Sequence, residues 1–319
     1  MASAADKDSA RKAVTCAEAS DTGKRLDSYL AGRFTYHSRT EWQKMISGGK
    51  IRLNGAVARS SRKIAGGDRI EYDTAGIVEP EVDGNFQIIF SDEHLIVVSK
   101  PGNLPCHPSG PFFKNTLWHM LAGKFGKTYF VNRIDRETSG LVIIARSPRI
   151  ASEMSESHAD IRKKYIAVVH GRFPADCHAR GFMCADTASA IRKKRRFYQG
   201  PQAGKDDEYS EGIFKFLESK GGLSIVEVEL VTGRLHQIRA TLSFLGFPLV
   251  GDKIYGLDEN FYLRFIEGSM TDEDKVKLMI GRQALHSSSL EFTHPVNGED
   301  MLLNADLPED MKNLINKEG

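Results

Sequence analysis

The stretch Asn132-Arg133-Ile134-Asp135-Arg136-Glu137-Thr138-Ser139-Gly140 separates two apolar runs, Tyr129–Val131 and Leu141–Ile144. Apolar runs of this kind between turn residues are typical of buried strands, so the pattern predicts a strand, a loop and a second strand. Asp135, at the centre of the loop, has an arginine within two residues on each side. A nearby cation favours the ionised form of a carboxyl group. The loop therefore predicts an ionised acid that serves as a base or nucleophile, or an aspartate that only caps the turn.

Length and composition indicate an ordinary globular chain. It has 319 residues, a length that suits two domains, and its fractions of 40% hydrophobic and 27% charged residues are those of an ordinary soluble protein. The apolar runs are shorter than the roughly 18 residues of a membrane span, and the first residues lack the apolar segment of a secretory signal. Four scattered cysteines do not suggest a disulfide framework. We therefore expect a cytoplasmic protein that does not associate with a membrane.

Charge is unevenly distributed along the chain. Residues 1–75 hold 14 Lys and Arg against 9 Asp and Glu, a net +5, whereas the remainder holds 30 against 33, a net −3. A basic N-terminal module can provide a surface that binds a polyanion. The alternative interpretation is a basic face that is only solvated.

Turn residues and helical spacings divide the chain into four parts. Leu26, Leu30 and Phe34 fall at helical spacing, Ser38 opens a second helix as its cap, and Asn54-Gly55 predicts a hairpin. The predicted parts are a flexible tail over 1–22, a small domain over 23–75, a linker over 76–85 and a large domain over 86–319.

The large domain has more predicted strands than helices, and most of the strands pair as hairpins. Residues 87–90 and 95–98 form one such pair, and 213–217 and 223–230 form another across a Lys-Gly-Gly turn. The expected fold class is α+β, with a largely antiparallel mixed central sheet.

Five segments, in order along the chain, resemble the RluA-type RNA pseudouridine synthases. They are Leu95–Gly102 with Pro105–Pro108, Arg133–Leu141, Lys164–Gly171, Thr232–Arg239 with Gly246–Gly256, and Ala284–His286 through His294-Pro295. The N-terminal module resembles the small α-L RNA-binding domain first seen in a ribosomal small-subunit protein. Its matching residues include Arg25-Leu26-Asp27, Ser38-Arg39, Asn54-Gly55 and Gly67-Asp68.

The resemblance implies the pseudouridine synthase fold and a reaction that cuts the C1′–N1 bond of uridine and joins C1′ to C5. The reaction exchanges neither electrons nor phosphates, so no cofactor is expected. The resemblance assigns Asp135 as the acid at the ribose, which either attacks C1′ or removes the C2′ proton, and Arg239 as the cation beside it. Tyr165 is the implied partner, through its ring or its hydroxyl, although a strand tyrosine packed in the core is the alternative.

Further residues are expected to bind RNA. The resemblance suggests that Arg133 fills the gap left by a flipped-out uridine, and a simple phosphate contact is the alternative. The basic run of residues 192–196 is typical of a strip that follows an RNA backbone, with a solvated loop as the alternative. The complete expected set is Arg133, Arg136, Arg234, His236, Arg192, Lys193, Lys194 and Arg195 in the large domain, and Arg25, Arg39, Lys44 and Arg52 in the small one.

Other motifs carry less weight. Cys177, His178 and Cys184 match no zinc spacing, so no metal is expected. Asn132 and Thr241 stand where the family usually has histidine, which is expected to change how the loop is held. We therefore expect a monomeric isomerase acting on structured RNA, ribosomal RNA first and transfer RNA second. A non-catalytic RNA-binding or ribosome-assembly factor and an RNA glycosidase that releases uracil are the competing hypotheses.

Overall fold

A computed structural model describes residues 12–34, 39–73, 79–156 and 161–316. The chain divides into two compact units, Met1–Pro80 with Ser109–Phe112, and Glu81–Pro108 with Phe113–Gly319. No helix within the described ranges is both long enough and apolar enough to cross a membrane. The predicted cap Ser38, the start of the predicted tail and the start of the predicted linker lie outside the described residues.

The first unit packs two helices against a four-stranded sheet of order β1-β4-β2-β3. The apolar faces of its helices and strands bury Leu26, Leu30, Trp42 and Ile51. Its elements are β1 (Lys12–Cys16), a 3-10 turn (Ala19–Asp21), α1 (Leu26–Arg33), α2 (Arg39–Ser47), β2 (Ile51–Leu53), β3 (Ala56–Val57) and β4 (Arg69–Asp73).

The prediction of a flexible tail over 1–22 is wrong for its second half, because β1 pairs antiparallel with β4 along its whole length. The five residues Lys-Ala-Val-Thr-Cys do not alternate strictly between apolar and polar side chains, so the strand cannot be recognised from sequence. Its stability comes from the partner strand, which lies far along the chain.

The second unit contains an 11-stranded sheet, in the order β11-β10-β12-β13-β9-β14-β8-β6-β5, with β15 on β14 and β7 on β8. Only β14 and β8 pair in parallel among the described strands, so the prediction of a largely antiparallel mixed sheet is confirmed. The strands are β5 (Gln87–Ser91), β6 (Leu95–Lys100), β7 (Tyr129–Phe130), β8 (Ser139–Ala145), β9 (Arg162–His170), β10 (Cys177–Ala185), β11 (Arg195–Tyr198), β12 (Glu208–Lys220), β13 (Leu223–Leu230), β14 (Leu285–Thr293) and β15 (Asp300–Asn304).

Helices cover parts of both faces of this sheet. Strands β6 and β8 are buried on both faces, because alternate side chains pack into separate apolar clusters. Among the described residues the helices are α3 (Leu117–Phe125), α4 (Pro148–Glu156), α5 (Gln237–Phe244), α6 (Asn260–Glu267), α7 (Asp272–Leu278) and α8 (Glu309–Asn316).

The parallel contact between β8 and β14 sets the geometry of the sheet centre. Gly140 has φ +107°, and a Cβ at this position would lie 2.1 Å from the carbonyl oxygen of Ser287. Only glycine permits so close an approach. Ser287 is also the register partner of Tyr165 on β9. The start of β8, and with it the loop of residues 132–138, is thereby held beside Tyr165.

Candidate active site

The loop of residues 132–138 is fastened to the strands that flank it. The Asn132 side-chain oxygen accepts a hydrogen bond from the backbone N–H of Ile143, at 2.7 Å. At the other end the Lys100 ammonium donates to the carbonyl oxygen of Arg136, at 3.1 Å. Asn132, which departs from the usual family pattern, therefore serves as a structural anchor of the loop.

Asp135 and Arg239 lie 104 positions apart in sequence and meet in the fold. The Nη1 atom of Arg239 donates to Oδ2 of Asp135, at 2.7 Å. The other face of the guanidinium is bound by Asp252, with Nε and Nη2 at 2.6 and 2.9 Å from its two oxygens. Asp252 is fully buried and also accepts from the backbone N–H groups of Ile254 and Tyr255. Arg239 is thus fixed before any ligand arrives.

Electrostatics keep Asp135 ionised. Burial raises the pKa of its carboxyl group, but the charge and hydrogen bond of Arg239 outweigh burial and lower the pKa to about 2. His236 lies 3.9 Å away, and burial lowers its own pKa to about 4. Histidine is therefore neutral near pH 7, and Arg239 supplies the positive charge at this site.

A second polar side chain holds Asp135 from the side of β14. The amide nitrogen of Gln283 donates to Oδ2 of Asp135 at 3.3 Å and to the Thr138 hydroxyl at 2.6 Å. Its neighbour Arg282 binds Asp310 through two hydrogen bonds of 2.6 and 2.8 Å and donates to the carbonyl oxygen of Glu137. The end of the loop is therefore tied to both β14 and α8.

Tyr165 lies in the apolar cluster on the side of the sheet covered by α5, with 6% of its surface exposed. Burial raises the pKa of its hydroxyl to about 12, and the negative charge of Asp135 adds to this rise. The hydroxyl is therefore protonated at neutral pH, which suits donation of a hydrogen bond rather than proton removal.

Sequence reasoning missed the supporting residues of this site. Asp252, Gln283 and Lys100 all lie within or beside segments that carry the family resemblance, yet local pattern gives them no role. Burial of a charged or amide side chain is the signal that identifies them, and burial can be read only from the fold.

The remaining cations of the loop differ in their surroundings. Arg133 is exposed, as an RNA contact requires. Arg136 binds the Glu137 carboxylate at 3.0 Å, and Glu137 in turn binds Lys253. Arg136 therefore belongs to a structural ion-pair network, which reduces the charge it can offer to RNA.

Only part of the basic run of residues 192–196 is exposed to solvent. Lys194 binds Glu259 at 2.7 Å, and Arg195 binds Glu208 at 2.6 Å and belongs to β11. Arg192 and Lys193 are exposed in the preceding turn. Neither a uniform strip nor a solvated loop describes this segment, because ion pairs hold Lys194 and Arg195 against the body of the protein.

Two further expected contacts lie at the turn that leads into α5. Arg234 donates to the carbonyl oxygen of Tyr209 at 2.9 Å and keeps an exposed guanidinium. His236 adopts a left-handed backbone conformation and lies 2.9 Å from the Tyr255 hydroxyl. The side chain of His236 thus faces Asp135 and Tyr255.

In the first unit, the expected phosphate contacts are of two kinds. Arg25 and Arg39 both bind the fully buried carboxylate of Asp27, together with Gln43. Lys44 and Arg52 are exposed. The first pair therefore has a structural duty, which sequence did not show, and the second pair is better placed for RNA.

No group of three or more His, Cys, Asp or Glu side chains able to hold a metal ion occurs among the described residues.

Comparison with known proteins assigns both parts of the chain. Residues 94–244 match the model of the RNA pseudouridylate synthase family, and residues 24–70 match the S4 domain. Ribosomal large subunit pseudouridine synthase D of Zymomonas mobilis is 30% identical over 311 residues, which cover 92% of this chain and 93% of the relative. A mitochondrial tRNA pseudouridine(32) synthase of Saccharomyces cerevisiae is 29% identical over 79% of this chain and 55% of the relative.

A solved structure supports the fold. Human RNA pseudouridylate synthase domain containing 1 superposes with a TM-score of 0.56 at 22% identity, over 72% of this chain and 86% of that one. The fold class predicted from sequence is thereby confirmed, and the S4 match confirms the predicted RNA-binding module at the N-terminus.

Proposed function

The chain belongs to the RluA-type family of RNA pseudouridine synthases, which are isomerases, and we propose that it converts a uridine of folded RNA to pseudouridine with Asp135 acting at the ribose. One observation supports this proposal above the others. Asp135 receives a 2.7 Å hydrogen bond from Arg239, a buried guanidinium that Asp252 already holds in place.

The isomerisation determines which chemical group the protein must supply. The C1′–N1 bond of uridine breaks, the uracil turns, C1′ joins C5, the proton on C5 is lost to solvent, and N1 takes up a proton. Nothing is oxidised and no group is transferred between molecules, so we propose that no cofactor takes part. The protein must supply an ionised carboxylate at the sugar, as in glycoside cleavage.

Asp135 meets this demand in two ways. A pKa of about 2 keeps the group ionised throughout the physiological range. Both hydrogen bonds described for its carboxylate fall on Oδ2, so Oδ1 is the oxygen we assign to the ribose. Attack on C1′ and removal of the C2′ proton both require this ionised form. A kinetic isotope effect with 2′-deuterated uridine would separate the two routes, because only the second breaks the C2′–H bond.

We assign Tyr165 two duties. Its ring stacks on the uracil, and its protonated hydroxyl donates a hydrogen bond at the sugar or the base. A pKa of about 12 argues against the hydroxyl as a base before the C1′–N1 bond breaks.

Access to a uridine in a folded RNA requires base flipping, which costs a few kcal/mol. The exposed side chain of Arg133, two residues before Asp135, is suited to occupy the vacated position in the stack. A phosphate contact is the simpler alternative. Measuring the flipped population with 2-aminopurine beside the target uridine, in wild type and Arg133→Ala, distinguishes the two roles, because the substitution lowers that population only if Arg133 fills the stack.

Among RNA classes we propose ribosomal RNA, since a relative of similar length that the chain matches at 30% identity carries a ribosomal name. Transfer RNA is the second candidate, because a relative named for transfer RNA also matches. We further propose that the protein acts as a monomer in the compartment where its RNA is made, the cytoplasm.

Tritium release from RNA labelled at C5 of uridine tests the proposed function. The isomerase releases label while the base stays attached to the RNA. A non-catalytic binding factor would release no label, and an RNA glycosidase would release free uracil. Either of these two outcomes would refute the proposal.

A further inference from the structure

Three aromatic side chains form a row on the large sheet, on the face opposite the core shared with α5. In the register of β10 with β11, Phe182 lies opposite Tyr198; in that of β10 with β12, Phe182 lies opposite Tyr209. Their neighbours Phe197 and Met183 are buried in that core. Because successive side chains of a strand point to opposite faces, the three rings share the outer face. We call them the aromatic row.

The rings of the row are in contact and reach solvent. The centroids of Phe182 and Tyr198 lie 5.8 Å apart with their planes at 26°, and those of Phe182 and Tyr209 lie 6.0 Å apart at 74°. Tyr209 is 43% exposed, and the other two rings are half-buried. The Tyr198 hydroxyl donates to Asp207 and the Tyr209 hydroxyl donates to Glu211, at 2.6 and 2.7 Å. These bonds fix the orientation of both tyrosine rings.

Arginines surround the row. The guanidinium of Arg196 lies 5.9 Å from the ring of Tyr198 and is exposed. Arg180 forms an ion pair with Glu211 at 3.1 Å and keeps 63% of its side chain exposed. Arg234 borders the row at the carbonyl oxygen of Tyr209. Apolar ring faces among guanidinium groups are complementary to a nucleic acid strand, in which flat bases alternate with phosphates.

The row also lies next to the chain segment that supplies Arg239. The turn that opens α5 is anchored on β12, since Gln237 donates to the carbonyl oxygen of Glu211 at 3.0 Å and Arg234 binds Tyr209. The aromatic row thus lies beside the turn that leads into the helix carrying Arg239, on the opposite face of the sheet from Tyr165.

We propose that the aromatic row is a second RNA-binding site, which holds unpaired nucleotides flanking the target uridine by stacking their bases on the three rings. Arg180 and Arg196 bind the phosphates of the same strand. Aromatic side chains displayed across adjacent strands are a known way for a sheet to bind single-stranded RNA. This inference rests on the proposed function, because it takes the bound polymer to be the substrate of the neighbouring site.

Stacking and backbone contacts are distinguished by a pair of probes. The first is a fluorescein-labelled oligoadenylate of about eight nucleotides, and the second is an abasic oligomer of the same length. Full-length Phe182→Ala and Tyr209→Ala variants should each bind the oligoadenylate about 5- to 150-fold more weakly, the range for loss of one base–ring stack. Their affinity for the abasic oligomer should not change.

Two matched variants control for general damage. Tyr209→Phe keeps the ring and should bind as wild type, and Leu217→Ala removes an exposed apolar side chain of β12 outside the row. Tyr209 is exposed, so its variant remains informative even if Phe182→Ala does not fold. Unchanged oligoadenylate affinity in Tyr209→Ala, or equal weakening with both probes, would overturn the inference.

The binding experiment tests the aromatic row separately from the proposed catalytic reaction. If the row binds the oligomer and the wild-type protein releases no tritium from labelled RNA, the binding site stands and the proposed function fails. If tritium is released and the row variants bind both probes as wild type does, the proposed function stands and the row has only a structural duty.

Discussion

Replacement of Arg239 by methionine tests how the site keeps Asp135 ionised. The substitution removes the hydrogen bonds of 2.6 and 2.9 Å to Asp252 and the one of 2.7 Å to Asp135. Asp252 is fully buried, so it becomes an uncompensated charge. We expect the free energy of unfolding to fall by about 3 to 5 kcal/mol, as when one partner of a buried pair is removed.

The same change alters the titration of Asp135. Its pKa is about 2 in the wild type, because Arg239 outweighs the effect of burial. Loss of a nearby cation raises a carboxyl pKa by roughly 1 to 3, so the variant should titrate at about 3 to 5. In the wild type, the pKa of Asp135 is lower in the folded state than in the unfolded state, so its ionisation stabilises the fold at pH values above the unfolded-state pKa. This stabilisation is lost as the pH falls toward 2. Because Asp135 of Arg239→Met takes up its proton at this higher pH, the single-turnover rate of tritium release should decrease once the pH is below about 5 in the variant but not in the wild type.

The double variant Arg239→Met with Asp252→Asn separates stability from catalysis. Neutralising Asp252 removes the buried unpaired charge, and its side-chain oxygen still accepts from the N–H groups of Ile254 and Tyr255. Urea unfolding should show that much of the lost stability returns. The single-turnover rate of tritium release should stay low, and it should still decrease at a higher pH than in the wild type. Recovery of the wild-type pH profile in the double variant, or no change of profile in Arg239→Met, would refute the reasoning.

Four further substitutions give distinct results. Tyr165→Phe keeps the ring and loses a hydroxyl of pKa about 12; filter binding should show unchanged RNA affinity, while the single-turnover rate falls about tenfold, as for the loss of one hydrogen bond, and an unchanged rate would exclude a role for the hydroxyl. Gln283→Leu removes the donor to Asp135 and Thr138; we expect about a tenfold lower rate, equivalent to about 1.4 kcal/mol, and wild-type kinetics would mean that Gln283 does not position the acid. Lys44→Ala should reduce the slope of log RNA affinity against log salt concentration by about 1 and leave stability unchanged; an unchanged slope would mean that Lys44 does not contact RNA. Arg25→Ala should lower the free energy of unfolding, because Asp27 loses an ion-pair partner.

Local pattern was sufficient for the elements that surround the site. The Asn54-Gly55 hairpin and the strands on either side of Asp135 follow from apolar spacing and turn residues, and the structure confirms them. The pairing of Asp135 with Arg239 was expected from family resemblance, because the two motifs occur together. Strand β1 was missed because its stability depends on pairing rather than on its own composition.

The residues that sequence could not assign are those whose partners are remote. Gln283 reaches Asp135 across 148 positions, and Lys194 reaches Glu259 across 65. No periodicity records such a contact, because it depends on how the sheet is ordered. The aromatic row arises in the same way, from the register of three strands.

Tritium release by Asp135→Asn is the most direct test of the assignment of Asp135. The substitution keeps the size of the side chain and removes its charge, and Asp206→Asn, at an exposed acid, is the matched control. We predict no release above background for Asp135→Asn on C5-labelled RNA, with RNA binding retained, and wild-type release for Asp206→Asn. Release by Asp135→Asn at a rate near that of the control would contradict the assignment of Asp135 to the ribose.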